Sequence, residues 1–436
     1  VDQSRGGIFR CALAGCALAG CALALALLPT ACATPTGTAS PAIGAGSVAY
    51  TPALEEQPTG FVLAAQTTAA PAPQPAPRPA PPGDPYRDAL ADAYKAFKGL
   101  DDGKNADYIP VLAKVDSKLY GLALVTVQGA IYEIGSARQE FSIQSVEKPF
   151  TLARAIESVG ADTVNERIGV NATGMRFNSI LAIDLQKNIP SNKDHVIPAG
   201  NPLVNAGAIT TVDLLPAGQG LDRWGTILAN LEAFAGRALK VDDEVYKSET
   251  ETNTHNQAIV QLLKDYEVIK GDPMQALDLY TRACAVSVSA RDLAVMGATL
   301  ANGGRNPVSG EQVVAAPTAA KVLAVVSTAG MYETSGEWLY RVGVPAKSGV
   351  GGGIVAVVPG RFAVGTFAPP LDQAGNSVRG QHAIEAVMKK LGGSLFASKP
   401  VPAAHRTGAA APAPAAAPVA KGTAAAPTTP PVARGN

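Results

Sequence analysis

A surplus of one charge sign is missing from this 436-residue chain: Lys+Arg and Asp+Glu both number 36. No global basic field exists to hold a phosphate backbone, which argues against nucleic acid as a partner. Cysteine is scarce where a fold would use it. Cys11, Cys16, Cys21 and Cys32 crowd the first 32 residues, and only Cys284 follows. The globular part therefore has no internal disulfide and must rest on a large core. Histidine numbers four. His195 and His382 stand isolated, no Cys/His cluster has zinc-ligand spacing, and neither a metal nor another cofactor is expected. Cys284 itself reads as a small buried residue rather than a reactive thiol.

What the chain has in quantity, 44 Gly and 34 Pro, is unevenly spread. Residues 1–33 have the layout of an export signal or membrane anchor. Arg5 and Arg10 precede a small, apolar run from Cys11 to Leu28, and Ala31-Cys32-Ala33 offers a cleavage site. An uncleaved anchor is the alternative, since about 18 apolar residues just suffice to span a bilayer. Lipidation of Cys32 is a third reading, disfavoured by Pro29. All three place the folded part outside the cytoplasm, in the periplasm or cell envelope, with the membrane touched only through this segment. Residues 34–85 form a Pro/Ala-rich linker, including APAPQPAPRPAPP at 70–82, which favours extended polyproline II. Residues 397–436 repeat that chemistry as a disordered tail with Lys399, Arg406, Lys421 and Arg434 and no acid.

Residues 86–396 are then the folded domain. GLALVTV (121–127) and AIYEIG (130–135) flank Gln128-Gly129 as a hairpin. GGIVAVV (352–358) and RFAVGTF (361–367) flank Pro359-Gly360 as a second. The middle has helical spacing, as in 222–238 and 256–269. Ser289 caps a helix stopped by Gly303-Gly304, and a last helix carries Ile384, Val387, Met388 and Leu391 on one face. Strands at both ends enclosing helices give an α+β class: an antiparallel β-sheet flanked by helices, with an adjoining helical subdomain.

The chemistry starts at Ser145-Val146-Glu147-Lys148, the chain's single S-x-x-K. On a helix, positions i and i+3 share a face, and Pro149 suits a first turn. Ser145 would sit near a helix N-terminus, where partial positive charge favours an alkoxide. A desolvated Lys148 could be neutral and take its proton. Alone, four residues are a weak signal, for which a surface Ser and Lys is the better reading. Lys347-Ser348-Gly349 changes the weighing, because S-x-x-K followed much later by K-[ST]-G is the pattern of active-site-serine enzymes of the β-lactamase and penicillin-binding type. Glycines after it let backbone approach a substrate closely.

Beyond these motifs, the chain resembles the glutaminase family, which shares the β-lactamase/transpeptidase-like fold. The similarity runs from about Gly103 to Gly380. It is carried by ADYIP (106–110), FSIQSVEKP (141–149), TGMRFNS (173–179), NPLVNAGAI (201–209), SETETNTHN (248–256), ATLANGG (298–304), GMYETSG (330–336), PAKSGVGGG (345–353) and PPLDQAGNSVRG (369–380). The resemblance implies that Ser145 attacks the side-chain amide of L-glutamine, with Lys148 as base and Tyr332 passing a proton to departing ammonia. The backbone N–H groups of Ser145 and Val350 would form the oxyanion hole. Tyr108, Asn205, Glu249, Asn256 and Tyr280 would hold the substrate's α-ammonium and α-carboxylate; one acid and several neutral donors suit a zwitterion. It also implies a homodimer or homotetramer.

Each of these residues has a plainer reading. Asn205 could cap a helix, Glu249 and Asn256 could lie in a solvated loop, and Tyr280 could be a core aromatic. Glu147 is expected to face solvent, on a different side of the helix from Ser145 and Lys148. His255 stands where relatives often carry Arg. Two other functions fit the motif pair: a cell-envelope β-lactamase or D-Ala-D-Ala peptidase, and a catalytically silent envelope protein. Glu249 separates the first from a glutaminase, because a β-lactam has no free ammonium to pair with it.

Overall fold

The computed structural model describes residues 83–188, 199–217 and 220–398. The expected leader, almost all of the linker and tail, and His195 lie outside these residues. Eight strands occur along the described chain: β1 (Gly121–Thr126), β2 (Ile131–Gly135), β3 (Phe141–Ser142), β4 (Lys240–Val241), β5 (Val286–Val288), β6 (Ala346–Gly349), β7 (Gly353–Val358) and β8 (Phe362–Phe367). Five form one antiparallel sheet in the order β2-β1-β8-β7-β6. Both expected hairpins are present, Leu124 opposite Tyr132 in the first and Ala356 opposite Val364 in the second. Pairing of β1 with β8 joins the two ends of the domain. The α+β architecture follows.

The sheet's inner strands β1, β7 and β8 are buried along their whole length. Their near-continuous apolar sequences reflect this, since helices cover both faces. Leu122, Leu124, Ile354, Ala356 and Val364 face a core with the helices Pro85–Phe97 and Val378–Leu391. Ala123, Val125, Val355, Val357 and Ala363 face the opposite core, which continues into the helical region. There the helix Ala290–Ala301 lies on the sheet, started by Ser289 and Asp292 in a reciprocal cap. Its approach depends on two glycines: a Cβ on Gly297 would fall 2.6 Å from Val355 Cγ2, and one on Gly365 would fall 2.1 Å from the Ala290 carbonyl.

A second, three-stranded sheet of order β3-β5-β4 was not expected. Its strands have two or three residues, too few for an alternating pattern to register in sequence. It matters because β3 ends at Ser142, immediately before the S-x-x-K turn, and Ile143 N–H donates to the Val286 carbonyl at 2.8 Å. The turn is thereby tied to the helical core on one side, and β6 approaches it on the other.

Candidate active site

Ser145 lies in a 3-10 turn, Gln144–Glu147, that runs into the helix Lys148–Val159 with proline in its first turn. This is the helix start expected of the motif. Gln144 holds φ 51°, in the left-handed region, a conformation that costs a non-glycine residue of order 1–3 kcal/mol and clusters at functional sites. Tyr332 is a second such residue, at φ 55°, and its hydroxyl is in hydrogen-bond contact with Ser145. The same hydroxyl donates to the Ser348 carbonyl at 3.1 Å, and Lys347 Nζ donates to that carbonyl at 2.6 Å. Lys347 also sits 4.5 Å above the Tyr332 ring. The K-S-G strand β6 therefore faces the nucleophile turn across Tyr332. Gly349 permits the approach, since a Cβ there would lie 2.8 Å from the Ile143 carbonyl and 3.2 Å from Val146 N.

Lys148 is 1% exposed. Its Nζ donates to Asn205 Oδ1 at 2.7 Å and lies 5.4 Å from the Tyr280 ring centre. Burial pulls the amine down to about 8, against the opposing pull of nearby groups including Glu147 and Glu249. A buried amine near that value is neutral often enough to accept a proton at physiological pH. Asn205 opens its helix but does not cap it; Val204 is the N-cap residue, and the Asn205 amide turns inward instead. Tyr280 Oη donates to Asn205 Oδ1 at 3.2 Å, and Asn205 Nδ2 donates to Asn256 Oδ1 at 3.0 Å. The alternative of Tyr280 as a core aromatic describes its ring, which is buried, but its hydroxyl serves this network.

Glu249 and Asn256 are not in a loop. They belong to the helices Asp243–Thr252 and Thr254–Asp265, and Glu249 is buried. Burial raises its carboxyl to about 7, while a hydrogen bond from Gln144 Nε2 at 3.1 Å and the Lys148 charge favour ionisation. A cavity of about 100 Å³ collects Ser145, Asn205, Glu249, Asn256, Tyr280 and Val350, with Tyr108 half exposed at its rim. Every residue expected to contact substrate lines this cavity except Tyr332, which stands behind Ser145 and lines a neighbouring cavity. Phe177 is the wall common to both, its ring 4.7 Å from that of Tyr332.

The structure corrects the expectation for Glu147. It is 1% exposed and accepts a hydrogen bond from the Thr151 hydroxyl. Burial raises its carboxyl to about 7, and the Lys148 and Lys347 amines oppose the rise. The reason for the misreading is that the helix it leads into has no solvent face at this end: Lys148 to Ala153 are all buried. Sequence reasoning also overlooked Gln144, whose side chain bridges to Glu249 and whose backbone conformation no motif reveals. It noted His255 without a partner; His255 Nε2 lies 2.6 Å from the Asn178 carbonyl at the cavity wall.

Comparison with known proteins identifies the family. The family description "Glutaminase" matches residues 103–396. The chain is 51% identical over 307 residues to a glutaminase of Colwellia psychrerythraea, covering 70% of this chain and 96% of that one. It is 47% identical over 308 residues to a glutaminase of Mycobacterium ulcerans, covering 71% and 93%. Among solved structures, a probable glutaminase, ybaS, superposes with TM-score 0.69 at 43% identity, covering 72% of this chain and 99% of the other. The Bacillus subtilis glutaminase YbgJ, in covalent complex with 5-oxo-L-norleucine, superposes with TM-score 0.61 at 29% identity, covering 71% and 98%. The architecture is thus that of the β-lactamase-like fold. Within it, the chain belongs to the glutaminase family, and its reaction is hydrolysis of glutamine to glutamate and ammonia.

Proposed function

We propose that this hydrolysis proceeds through a glutamyl ester on Ser145. Lys148 Nζ takes the Ser145 proton as Oγ attacks the side-chain amide carbon, and the amide oxygen becomes the oxyanion, held by the Ser145 and Val350 N–H groups. The C–N bond breaks as the leaving nitrogen receives a proton relayed through the Tyr332 hydroxyl, releasing ammonia. Water then adds to the ester carbon, giving a proton to Lys148, which returns it to Ser145 Oγ as the Ser145–glutamyl bond breaks to free glutamate. Tyr332 acts as a neutral relay, because burial holds its hydroxyl well above the ordinary tyrosine range. Glu249 pairs with the α-ammonium, and the hydroxyls and amides of Tyr108, Asn205, Asn256 and Tyr280 address the α-carboxylate. The carrying observation is the buried Lys148 amine, one turn after Ser145 and hydrogen-bonded to Asn205 in the wall of the Glu249 cavity.

The purified chain should release ammonia from L-glutamine much faster than from L-asparagine, whose shorter side chain leaves its amide short of Ser145 when Glu249 holds the ammonium. A chromogenic cephalosporin should be untouched. Cephalosporin turnover without glutamine turnover would overturn the reading in favour of the β-lactamase alternative.

The export-type leader read from the sequence supports a site of action in the periplasm or cell envelope, and the family resemblance implies a homodimer or homotetramer. Such an enzyme would generate glutamate and ammonia outside the cytoplasm. Cell fractionation should place glutaminase activity in the envelope or periplasmic fraction in a leader-dependent manner; activity confined to the cytoplasm would contradict this.

A further inference from the structure

The segment 369–377 adds no side chain to the substrate cavity, yet it passes beside Tyr332, Val350 and Phe177. Asp372 organises it. Its Oδ1 accepts from the N–H groups of Ala374, Gly375 and Asn376, each at 2.9 Å, and its Oδ2 accepts from Gln381 Nε2 at 2.8 Å. Asp372 N–H donates to the Asn376 carbonyl at 2.8 Å, closing the turn. A single carboxylate thus fixes three consecutive residues and anchors them to the helix Val378–Leu391.

The turn so made presents Gly375 at φ 98°. The position of its missing Cβ is 3.5 Å from the Tyr332 ring, 3.5 Å from Val350 Cγ1 and 4.0 Å from the Phe177 ring. Two further hydrogen bonds tie the same turn to those walls. Wholly buried Asn376 donates through Nδ2 to Thr334 Oγ1 at 3.1 Å, two residues beyond Tyr332, and the Gln373 carbonyl accepts from Arg176 at 3.4 Å, one residue before Phe177. Tyr332 holds a left-handed backbone, a conformation that persists only when its surroundings over-determine it.

We propose that Asp372 is a positioning residue for glutamine hydrolysis: the turn it builds braces Tyr332 and Val350 against the nucleophile. The proposal rests on the roles given above to the Tyr332 hydroxyl and the Val350 N–H. Asp372 acts through them and not on substrate, since the Glu249, Asn256 and Tyr280 side of the cavity is untouched by the turn. Its loss should therefore lower kcat while sparing KM.

The test is steady-state ammonia release from L-glutamine by the full chain, with wild type and Ser145→Ala as references. Asp372→Ala should lose about 10²-fold in kcat, the scale of a displacement near 1 Å at the reacting groups, with KM within a few-fold of wild type. Asp372→Asn keeps the Oδ1 acceptor and should stay within a few-fold of wild type in both constants. Gly375→Ala, which keeps Asp372 but strains the turn, should lose kcat in the same sense and decides the matter if Asp372→Ala does not fold. Wild-type kcat in a folded Asp372→Ala or in Gly375→Ala, or equal damage in the Ala and Asn variants, would overturn the proposal. Because wild type is measured alongside, loss of the glutaminase reading itself would show as an inactive reference and not as an unchanged variant.

Discussion

Ser145→Ala should all but abolish ammonia release from L-glutamine, by about 10⁶-fold in kcat, the scale seen when a serine hydrolase loses its nucleophile. The substitution removes one hydroxyl from a buried residue of a 3-10 turn. Its hydroxyl meets that of Tyr332, which keeps its bond to the Ser348 carbonyl, so the fold should persist and circular dichroism should be unchanged. Lys148→Ala is comparably damaging, because nucleophile and base act as a unit. The double variant should be little worse than either single one. Lys148→Ala has a structural cost as well: it takes from Asn205 Oδ1 one of its two donors, leaving Tyr280. A Ser145→Ala protein with wild-type turnover would remove Ser145 from the chemistry.

Glu249→Gln acts on binding. The carboxylate is buried, and a substrate ammonium beside it would form a desolvated charge pair. Removing one member of such a pair costs about 2–5 kcal/mol, or roughly 30- to 4,000-fold in KM. The pH dependence gives an independent readout. Burial raises the Glu249 carboxyl to about 7 in the free enzyme, and only its ionised form attracts the ammonium. As pH falls through 7 the carboxyl takes up a proton and the pair is lost. Wild-type kcat/KM should accordingly fall about tenfold per pH unit below 7 from this group alone, and that contribution should vanish in Glu249→Gln. Equal KM values for wild type and variant across this range would place the ammonium elsewhere.

These two residues illustrate how unevenly the site was legible. Ser145 and Lys148 are a local signal: their spacing and Pro149 predict a helix start with both side chains on one side, and a helix start is what forms. Lys347-Ser348-Gly349 is equally local, and its glycine explains why β6 comes so close. The hairpins are read directly from two apolar runs around a turn. Glu249 and Asn256 are different. Nothing in a polar stretch tells which acid will be buried, and their grouping came from ordered resemblance rather than from periodicity. The places where local reasoning failed share one cause. Glu147 departs from the solvent position that a helix with one exposed side would give it, because this helix begins sunk among others. Gln144 gained its place from a left-handed backbone, and Asp372 from three backbone N–H groups folding round it. Such features are made by tertiary packing and turn geometry, which leave no residue pattern to read.

The proposed reaction turns on one covalent bond to one oxygen. 6-Diazo-5-oxo-L-norleucine, which reacts with the Bacillus subtilis glutaminase to give a covalent complex, offers the direct measurement. The full chain, treated with this compound and analysed by peptide mass spectrometry, should carry one 5-oxo-norleucine group per chain on Ser145, and Ser145→Ala should carry none. A label on any other residue, no label on the wild-type chain, or labelling that survives Ser145→Ala, would contradict it.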